Sequence, residues 1–414
     1  MFNKNQLFLL VLFLVFAHLL VGQNNTNSPY TRFGYGELID ANSGEQRAMG
    51  GIGIGSRNSS SINAMNPASY SAVDSMTFMF DFGVSGLISR FSDPTGKNSK
   101  FNSNLEYLNL QFPVSDWLGF SAGLLPYSFS GYNFSRSDSV LVQTNNTTPD
   151  YEHYSELYSG AGGISQVYAG LGAKLFNHVS VGVNAYYMFG DIINSRGLTF
   201  TNLDASTQLN SIVVRSFRFR YGVQFFNTFA KKHTVTLGMI YENKAPLNGK
   251  FIQTHFAIPG DTIAYDNDFE LPVTFGLGLN YNFDNKLTIG LDYSMQQWGD
   301  VLFFGKTDSL RNRTKLAIGA EYIPNARSNK YLERIRYRAG LNLHDPYYKL
   351  AGSAPVKNFG ISFGVGLPLK TSNTVVNAAI EYGKVGDKSI FREDYFKITF
   401  NATFNESWFF KRKL

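Results

Sequence analysis

The strongest constraint on the fold is an alternation of side chains with a period of two residues. It is clearest in the stretch 272–295, where one parity carries aromatic and aliphatic residues and the other carries Gly, Thr, Asn and Asp. Successive side chains of a β-strand point to opposite faces of its sheet, so the alternation predicts strands. A polar turn at 284–286 divides the stretch into two halves and therefore predicts an antiparallel hairpin.

The two faces of this hairpin differ in a way that favours a membrane barrel. Leu277 and Leu291 belong to the apolar face, and Gly278 and Asp292 belong to the small and charged face. A transmembrane barrel turns its apolar face to lipid and its polar face to a wet lumen. A soluble sandwich would instead bury the apolar face against a second sheet.

The same unit recurs along the chain and predicts about fourteen strands. The predicted strands are 77–91, 105–113, 118–130, 166–176, 179–192, 212–229, 234–243, 271–283, 287–297, 314–323, 334–344, 357–368, 374–384 and 394–405. Connections after odd-numbered strands are long and polar, as at 131–165 and 193–211, whereas the others are short. Outer-membrane barrels combine short periplasmic turns with long extracellular loops, so both termini are expected in the periplasm. Tandem sandwiches would have loops of similar length at both ends, and a propeller would show a repeat of about 40 residues, which this sequence lacks.

Composition agrees with an all-β transmembrane antiparallel barrel. Charged residues make up only 16% of the chain and aromatic residues 15%, whereas soluble domains carry roughly 25% charged residues. The net charge is +6 without a basic block, so no nucleic-acid partner is expected. The six histidines show no metal-ligand spacing, and we expect no enzymatic activity, metal or cofactor.

The N-terminus predicts export. Lys4 precedes an apolar run from Leu7 to Val21, which is typical of a secretory signal peptide spanning 1–22. The chain has no cysteine, so neither a disulfide framework nor a lipoprotein anchor is expected. Together with the barrel pattern, these features predict the outer membrane of a Gram-negative bacterium, where the barrel contacts membrane lipid.

The predicted domain order is a signal peptide, an N-terminal segment at 23–75, a barrel at 76–405 and a periplasmic tail at 406–414. The segment 23–75 is rich in Gly, Ser and Asn and cannot build its own core. It is either disordered or ordered by packing inside the barrel as a luminal hatch.

Charged residues are concentrated on the predicted luminal face. The arginines are Arg218, Arg220, Arg334, Arg336 and Arg338; the other charged residues are Lys174, Lys315, Lys397, Asp81, Asp292, Glu321 and Glu381. One interpretation is a structural network that pairs charges across the lumen or holds a plug. The other is an arginine stripe that contacts a carboxylate or phosphate ligand.

The sequence Asn66-Pro67-Ala68, placed after a Gly-rich stretch and just before the first strand, resembles the hatch signature of FadL-like outer-membrane transport proteins. The ending 395–413 resembles the Bacteroidota branch of that family. The resemblance implies a fourteen-stranded barrel with a hatch, and a hydrophobic ligand that leaves sideways beside a kinked third strand. Gly123 and Pro126 in the third strand are then candidates for a lateral gate, because proline removes a ladder hydrogen bond and glycine weakens a strand.

Two functions follow as hypotheses. The first is a passive FadL-like transporter for hydrophobic or amphiphilic small molecules, with Val140, Leu141, Val142, Phe251, Ile252 and Phe256 as a hydrophobic catch in the loops. The second is a non-transporting accessory barrel in an outer-membrane protein secretion or assembly complex, with other outer-membrane proteins as partners. The polar composition of 57–66 favours the second.

Overall fold

The computed structural model describes residues 25–94, 96–145, 148–200, 205–256, 261–266, 269–307, 309–349, 358–369, 374–387 and 391–407. The predicted signal peptide at 1–22 lies outside these residues, as does the part of the predicted tail beyond Ser407. The remaining two residues of that tail belong to the last strand, which ends at Ser407.

Fourteen antiparallel strands close into a barrel. With strands numbered in chain order, β1 (Glu37–Leu38) precedes the barrel, and β9 (Ala245–Pro246), β10 (Gly249–Phe256), β11 (Asp261–Asp266) and β12 (Glu270–Leu271) lie in one connection. The barrel strands are β2 (Thr77–Ser92), β3 (Lys97–Ser115), β4 (Leu118–Asn145), β5 (Thr148–Leu175), β6 (Val179–Phe200), β7 (Ser206–Phe229), β8 (His233–Glu242), β13 (Thr274–Phe283), β14 (Leu287–Gln296), β15 (Arg313–Tyr322), β16 (Arg336–His344), β17 (Asn358–Pro368), β18 (Val375–Asp387) and β19 (Phe391–Ser407). Each pairs with the next, and β19 pairs with β2. The predicted fold class is therefore confirmed.

The helices are short. The structure has 3-10 helices at Pro29–Arg32, Pro67–Ala72 and Trp298–Asp300 and α-helical turns at Gly44–Ala48 and Tyr331–Arg334. Within the described residues, no helix combines the length and apolar character needed to cross a membrane.

Two of the predicted long loops are wrong. Most of 131–165 belongs to β4 and β5, which are 28 residues each and stay paired out to Asn145 and Thr148. Most of 193–211 likewise extends β6 and β7, and β10 pairs with the end of β7. These extensions carry polar residues on both faces, so the alternation that marks a half-buried strand is absent from their sequence.

The predicted faces of the central hairpin agree with the side-chain exposure. Leu277 is 46% exposed and Leu291 is 43% exposed, whereas the luminal Asp292 is 5% exposed. Outward Phe217, Phe219 and Phe400 are likewise exposed in neighbouring parts of the wall. A closed wall with this apolar outer face fits a bilayer, because paired strands satisfy their backbone hydrogen bonds within the wall.

We predict that Leu277→Arg impairs folding into lipid vesicles by about 2–4 kcal/mol, because it places a charge on the lipid-facing side near the middle of β13. Leu277→Phe is the matched control and should fold normally. The urea midpoint of vesicle-folded protein measures both variants. If Leu277→Arg and Leu277→Phe have the same midpoint, the assignment of this face to lipid is wrong.

Candidate functional site

The barrel interior is occupied by the N-terminal segment, residues 25–75. Its contact with the wall depends on inward-facing glycines. A Cβ atom at Gly340 would lie 2.0 Å from the backbone nitrogen of Gly50, and one at Gly238 would lie 2.0 Å from the carbonyl oxygen of Ile54. Similar contacts of backbone with backbone occur at Gly119, Gly172, Gly182, Gly278 and Gly319. The absence of side chains at these positions lets the segment lie directly on the wall.

The predicted hatch motif lies within this contact. Asn66 is fully buried; its Nδ2 donates to the carbonyl of Ile54 (2.8 Å), and its Oδ1 accepts from the amide of Ala68 (3.1 Å). This second bond caps the 3-10 helix Pro67–Ala72. Pro67 packs on Gly222 and Gly182 of the wall. The motif therefore has a local structural role that the sequence spacing alone did not reveal.

The five predicted luminal arginines do not form one stripe. Arg218 and Arg220 both contact Glu242, at 2.8 Å and 2.5 Å. Arg338, five strands further round the barrel, contacts Glu321 at 2.7 Å and Glu45 of the N-terminal segment at 3.4 Å.

The other two arginines lie away from these clusters. Arg334 is not on a strand, contrary to prediction: it ends the helical turn Tyr331–Arg334 and donates to the carbonyl of Leu369 (3.3 Å). Arg336 opens β16 and is only partly buried. The predicted strand began too early because Arg334 and Ile335 continue the alternation of β16.

Several of these charges hold the N-terminal segment in place. Arg220 donates to the carbonyls of Ala64 (3.3 Å) and Met65 (3.2 Å). Asp292 accepts from the amides of Gly53 (2.6 Å) and Ile54 (2.8 Å). The arrangement favours the structural-network interpretation, because buried charges are tolerated only when they are paired and hydrogen-bonded.

Two anchoring carboxylates were missed by the sequence analysis. Glu106 is buried and contacts Arg47 of the segment (2.6 Å) and Lys397 of β19 (2.6 Å). It faces inward because a bulge in β3, opposite Gly83 and Val84, breaks the two-residue register. No two-residue pattern could have identified it.

Asp40 is the second missed anchor. It contacts Lys315 (2.6 Å) and Arg313 (3.6 Å) on β15. Burial opposes ionisation of Asp40, but the positive charges of Lys315 and Arg313 outweigh this effect and lower the pKa of its carboxyl. Asp40 is therefore ionised at neutral pH, and its contribution to stability is lost only when strong acid protonates it.

Among the described residues, the wall has a discontinuity between β3 and β4, which we call the seam. The two strands pair only from Ser115–Leu118 to Leu108–Leu124. Beyond that point β3 stays paired with β2 and β4 stays paired with β5. Gly123 pairs with Asn109, one position before the ladder ends, and Pro126 lies just beyond that end. Both predicted gate residues therefore lie at the seam.

Residues 25–39, the covering segment, contact both sides of the seam. On the β4 side, β1 pairs with Ser128 and Phe129, and the amide of Ile39 donates to the carbonyl of Tyr127 (2.9 Å). On the β3 side, the Nδ2 of Asn104 donates to the carbonyl of Asn25 (2.8 Å). The covering segment therefore lies across the opening of the ladder.

A cavity of about 170 Å³ lies behind the covering segment. It is lined by that segment and by residues of both charges: Arg47 of the N-terminal segment, and Glu381, Glu393 and Lys397 of the wall. A second cavity of about 390 Å³, at the end of the barrel with the strand extensions, is lined by aromatic and carboxamide groups such as Tyr158, Phe304 and Asn210. Across the described part of the chain, no group of three or more His, Asp or Glu residues could hold a metal ion.

The model of one protein family, BamG, matches residues 1–414. This chain belongs to the BamG family. A search of curated proteins finds no match for the BamG-family chain.

Solved structures share its fold at low sequence identity. The toluene transporter TbuX of Ralstonia pickettii superposes with a TM-score of 0.61 at 15% identity, over 87% of this chain and 97% of TbuX. A FadL homologue of Pseudomonas aeruginosa gives 0.61 at 13% identity, over 90% of this chain and 100% of the homologue. The monoaromatic hydrocarbon channel CymD gives 0.58 at 14% identity, over 90% of this chain and 99% of CymD. The predicted FadL-like fold is confirmed, and the Bacteroidota branch stays a prediction.

We predict that Gly340→Ala destabilises this BamG-family barrel by about 1–3 kcal/mol, because the added methyl group overpacks the contact with Gly50. Gly197→Ala is the matched control, since the nearest heavy atom to a Cβ there is 3.8 Å away. The urea midpoint in vesicles is the measurement. Equal midpoints for the two variants would contradict the close contact between segment and wall.

Proposed function

We propose that this barrel is a passive outer-membrane transporter for hydrophobic or amphiphilic small molecules, which pass sideways through the seam. The observation that carries the proposal is the end of the β3–β4 ladder at Leu108 and Leu124. A solute can leave a barrel laterally only where neighbouring strands are not hydrogen-bonded to each other. Gly123 and Pro126 are the proposed gate residues at this point.

The covering segment is the part that moves in this proposal. It is held to β4 by the β1 pairing and by Thr31, which donates to the carbonyl of Gly131 (3.1 Å) and accepts from the amide of Gly131 (3.1 Å). Residues 44–70 are held by ion pairs and by close contact with the inward-facing glycines of the barrel. Displacing residues 25–39 therefore opens the seam while the rest of the interior stays filled. Residues 23–75 act as the hatch in this scheme.

The structural neighbours support a hydrophobic substrate. They include a toluene transporter and a monoaromatic hydrocarbon channel. The end of the barrel with the strand extensions also offers apolar contacts: Val140 is 47% exposed and Phe256 is 58% exposed. Phe251 does not belong to this proposed catch, because it is 4% exposed and its ring packs against the buried ring of Phe269. Val142 lies among residues whose side chains are not described.

The location proposed with this function is the outer membrane of a Gram-negative bacterium, with both termini in the periplasm. The short turns after β5 and β7 lie at the same end of the barrel as the start of β2. The long extensions of β4 to β7 lie at the opposite end. In outer-membrane barrels the short turns face the periplasm.

A disulfide that locks the covering segment tests the proposal. Leu38 and Ser128 are register partners, and the chain has no cysteine of its own, so Leu38→Cys with Ser128→Cys forms a single defined cross-link. Gram-negative cells making the full chain should take up the hydrophobic dye 1-N-phenylnaphthylamine faster than cells lacking it. The oxidised double variant should lose this gain, and dithiothreitol should restore it.

Thr228→Cys with Thr234→Cys is the control for this experiment, because it cross-links two register partners at a short turn far from the seam. It should take up dye like the wild type in both redox states. Uptake that is unchanged by the Leu38–Ser128 lock would rule out passage through the seam.

A second candidate function is that of an accessory subunit in an outer-membrane protein secretion or assembly complex. The filled interior, the charged cavity behind the seam and the 28-residue strands β4 and β5 provide surface without an apolar path. The BamG family label also favours it. Affinity purification in mild detergent separates the two functions: a stoichiometric large complex favours the accessory role, and a lone barrel favours transport.

A further inference from the structure

In the cavity of about 170 Å³ behind the covering segment, the lysines and arginines have carboxylate partners, whereas several carboxylates have no positive partner among the described residues. Its lysines and arginines are Arg47, Lys397, Lys315 and Arg313. The first two share the carboxylate of Glu106, at 2.6 Å each. The other two share Asp40, at 2.6 Å and 3.6 Å. Each basic group of the lining therefore already has a carboxylate partner.

Asp345 also lines the cavity and lies 4.0 Å from Arg311. Three further carboxylates line the same cavity, and within the described residues none of these three forms an ion pair. They are Glu37, Glu381 and Glu393. Glu381 accepts from the hydroxyl of Tyr395 (2.8 Å), and Glu393 accepts from that of Ser28 (2.5 Å). Glu37 is exposed to the cavity, and burial inside the barrel raises the pKa of its carboxyl. The lining therefore has more carboxylates than lysine and arginine side chains to pair with them.

Two neutral side chains independently show the same shortage of donors. Asn42 and Asn104 also line the cavity and are 7% and 4% exposed. The Oδ1 atom of each is buried without a hydrogen-bond donor. Buried acceptors without donors are costly, so both oxygens favour a ligand that supplies N–H groups. This observation does not depend on the charges of the carboxylates.

The remaining lining suits a positively charged head with an apolar tail. Tyr30, Phe129 and Tyr395 contribute aromatic rings, which attract cations through their faces. The volume of about 170 Å³ is enough for roughly 11–17 water molecules, since one water needs about 10–15 Å³. That space accommodates a small head group, while β1 and the seam lie on the path to the outer face of the barrel.

We propose that this cavity binds the ammonium head of an amine-bearing amphiphile whose alkyl tail extends towards the seam. An ammonium group supplies three N–H donors and one positive charge, and so complements Glu37, Glu381 and the two free carboxamide oxygens. A carboxylate head would add another acceptor, and a hydrocarbon would leave the acceptors unpaired. This inference rests on the proposed transport function for the path of the tail.

Binding of three short probes tests the proposal. The full chain in nanodiscs is titrated calorimetrically at pH 8 with hexylammonium, hexanoate and hexanol; an alkylamine stays protonated at this pH, as lysine does. We expect hexylammonium to bind at least about tenfold more tightly than either other probe, because hydrogen bonds between charged groups are the stronger ones. Glu37→Gln and, separately, Glu381→Gln should each weaken the binding of hexylammonium about tenfold.

Glu333→Gln is the matched control, because Glu333 lies in a turn at the other end of the barrel and contacts only Lys330 among the described ion pairs. It should bind hexylammonium like the wild type. An unchanged urea midpoint shows that the Glu37→Gln and Glu381→Gln variants are folded. If one variant does not fold, the binding affinity of the other tests the proposal. Equal affinity for the three probes, or no effect of both glutamine variants, would overturn the assignment.

The outcome is separable from that of the transport proposal. Dye uptake that responds to the Leu38–Ser128 lock, together with no preference for hexylammonium, would leave transport in place and remove the amine site. Preferential binding of hexylammonium without any dye uptake would leave the amine site in place and remove the transport proposal.

Discussion

The structure depends on the match between a chain that fills the lumen and a wall that leaves room for it. A barrel of fourteen strands is too wide for wall side chains alone to close. Here the N-terminal segment fills the space, and glycines such as Gly340 and Gly238 allow backbone to approach backbone. The inward glycines of the alternating pattern are thus contact positions for the segment as well as small residues facing a lumen.

The same match explains why the interior is charged. The segment brings Glu45, Arg47 and Asp40 inside, and the wall supplies Arg338, Glu106 and Lys315 as their partners. Removing one member of a buried pair leaves the other charge uncompensated, which typically costs about 3–5 kcal/mol. The network therefore fixes the position of the segment more than it adds stability over an apolar lining.

Sequence reasoning predicted the wall well and its interior poorly. The fourteen strands and the outward position of Leu277 followed from a period of two, which holds wherever one face meets lipid. The extensions of β4 and β5 lacked that period because both of their faces are polar. Glu106 was hidden by a bulge, and Glu242 can be assigned only once its contacts with Arg218 and Arg220 are known.

The seam connects this architecture with function. It interrupts the ladder of the described strands, and the part of the N-terminal segment that covers it is held by hydrogen bonds, one short strand pairing and the buried ring of Tyr35. The part beneath is held by ion pairs and by contact with the wall. In the proposed transport function, the barrel opens sideways at the seam without emptying its interior, which suits the passage of an amphiphile better than that of a freely diffusing polar solute.

Hydrogen–deuterium exchange of the full chain in nanodiscs tests this account most directly. Peptides covering 44–70 should exchange as slowly as the strands β13 to β16, because their amides lie against the wall. Peptides covering 25–39 should exchange faster. Exchange of 44–70 within seconds, while the barrel strands stay protected, would contradict the claim that this segment is a fixed part of the interior.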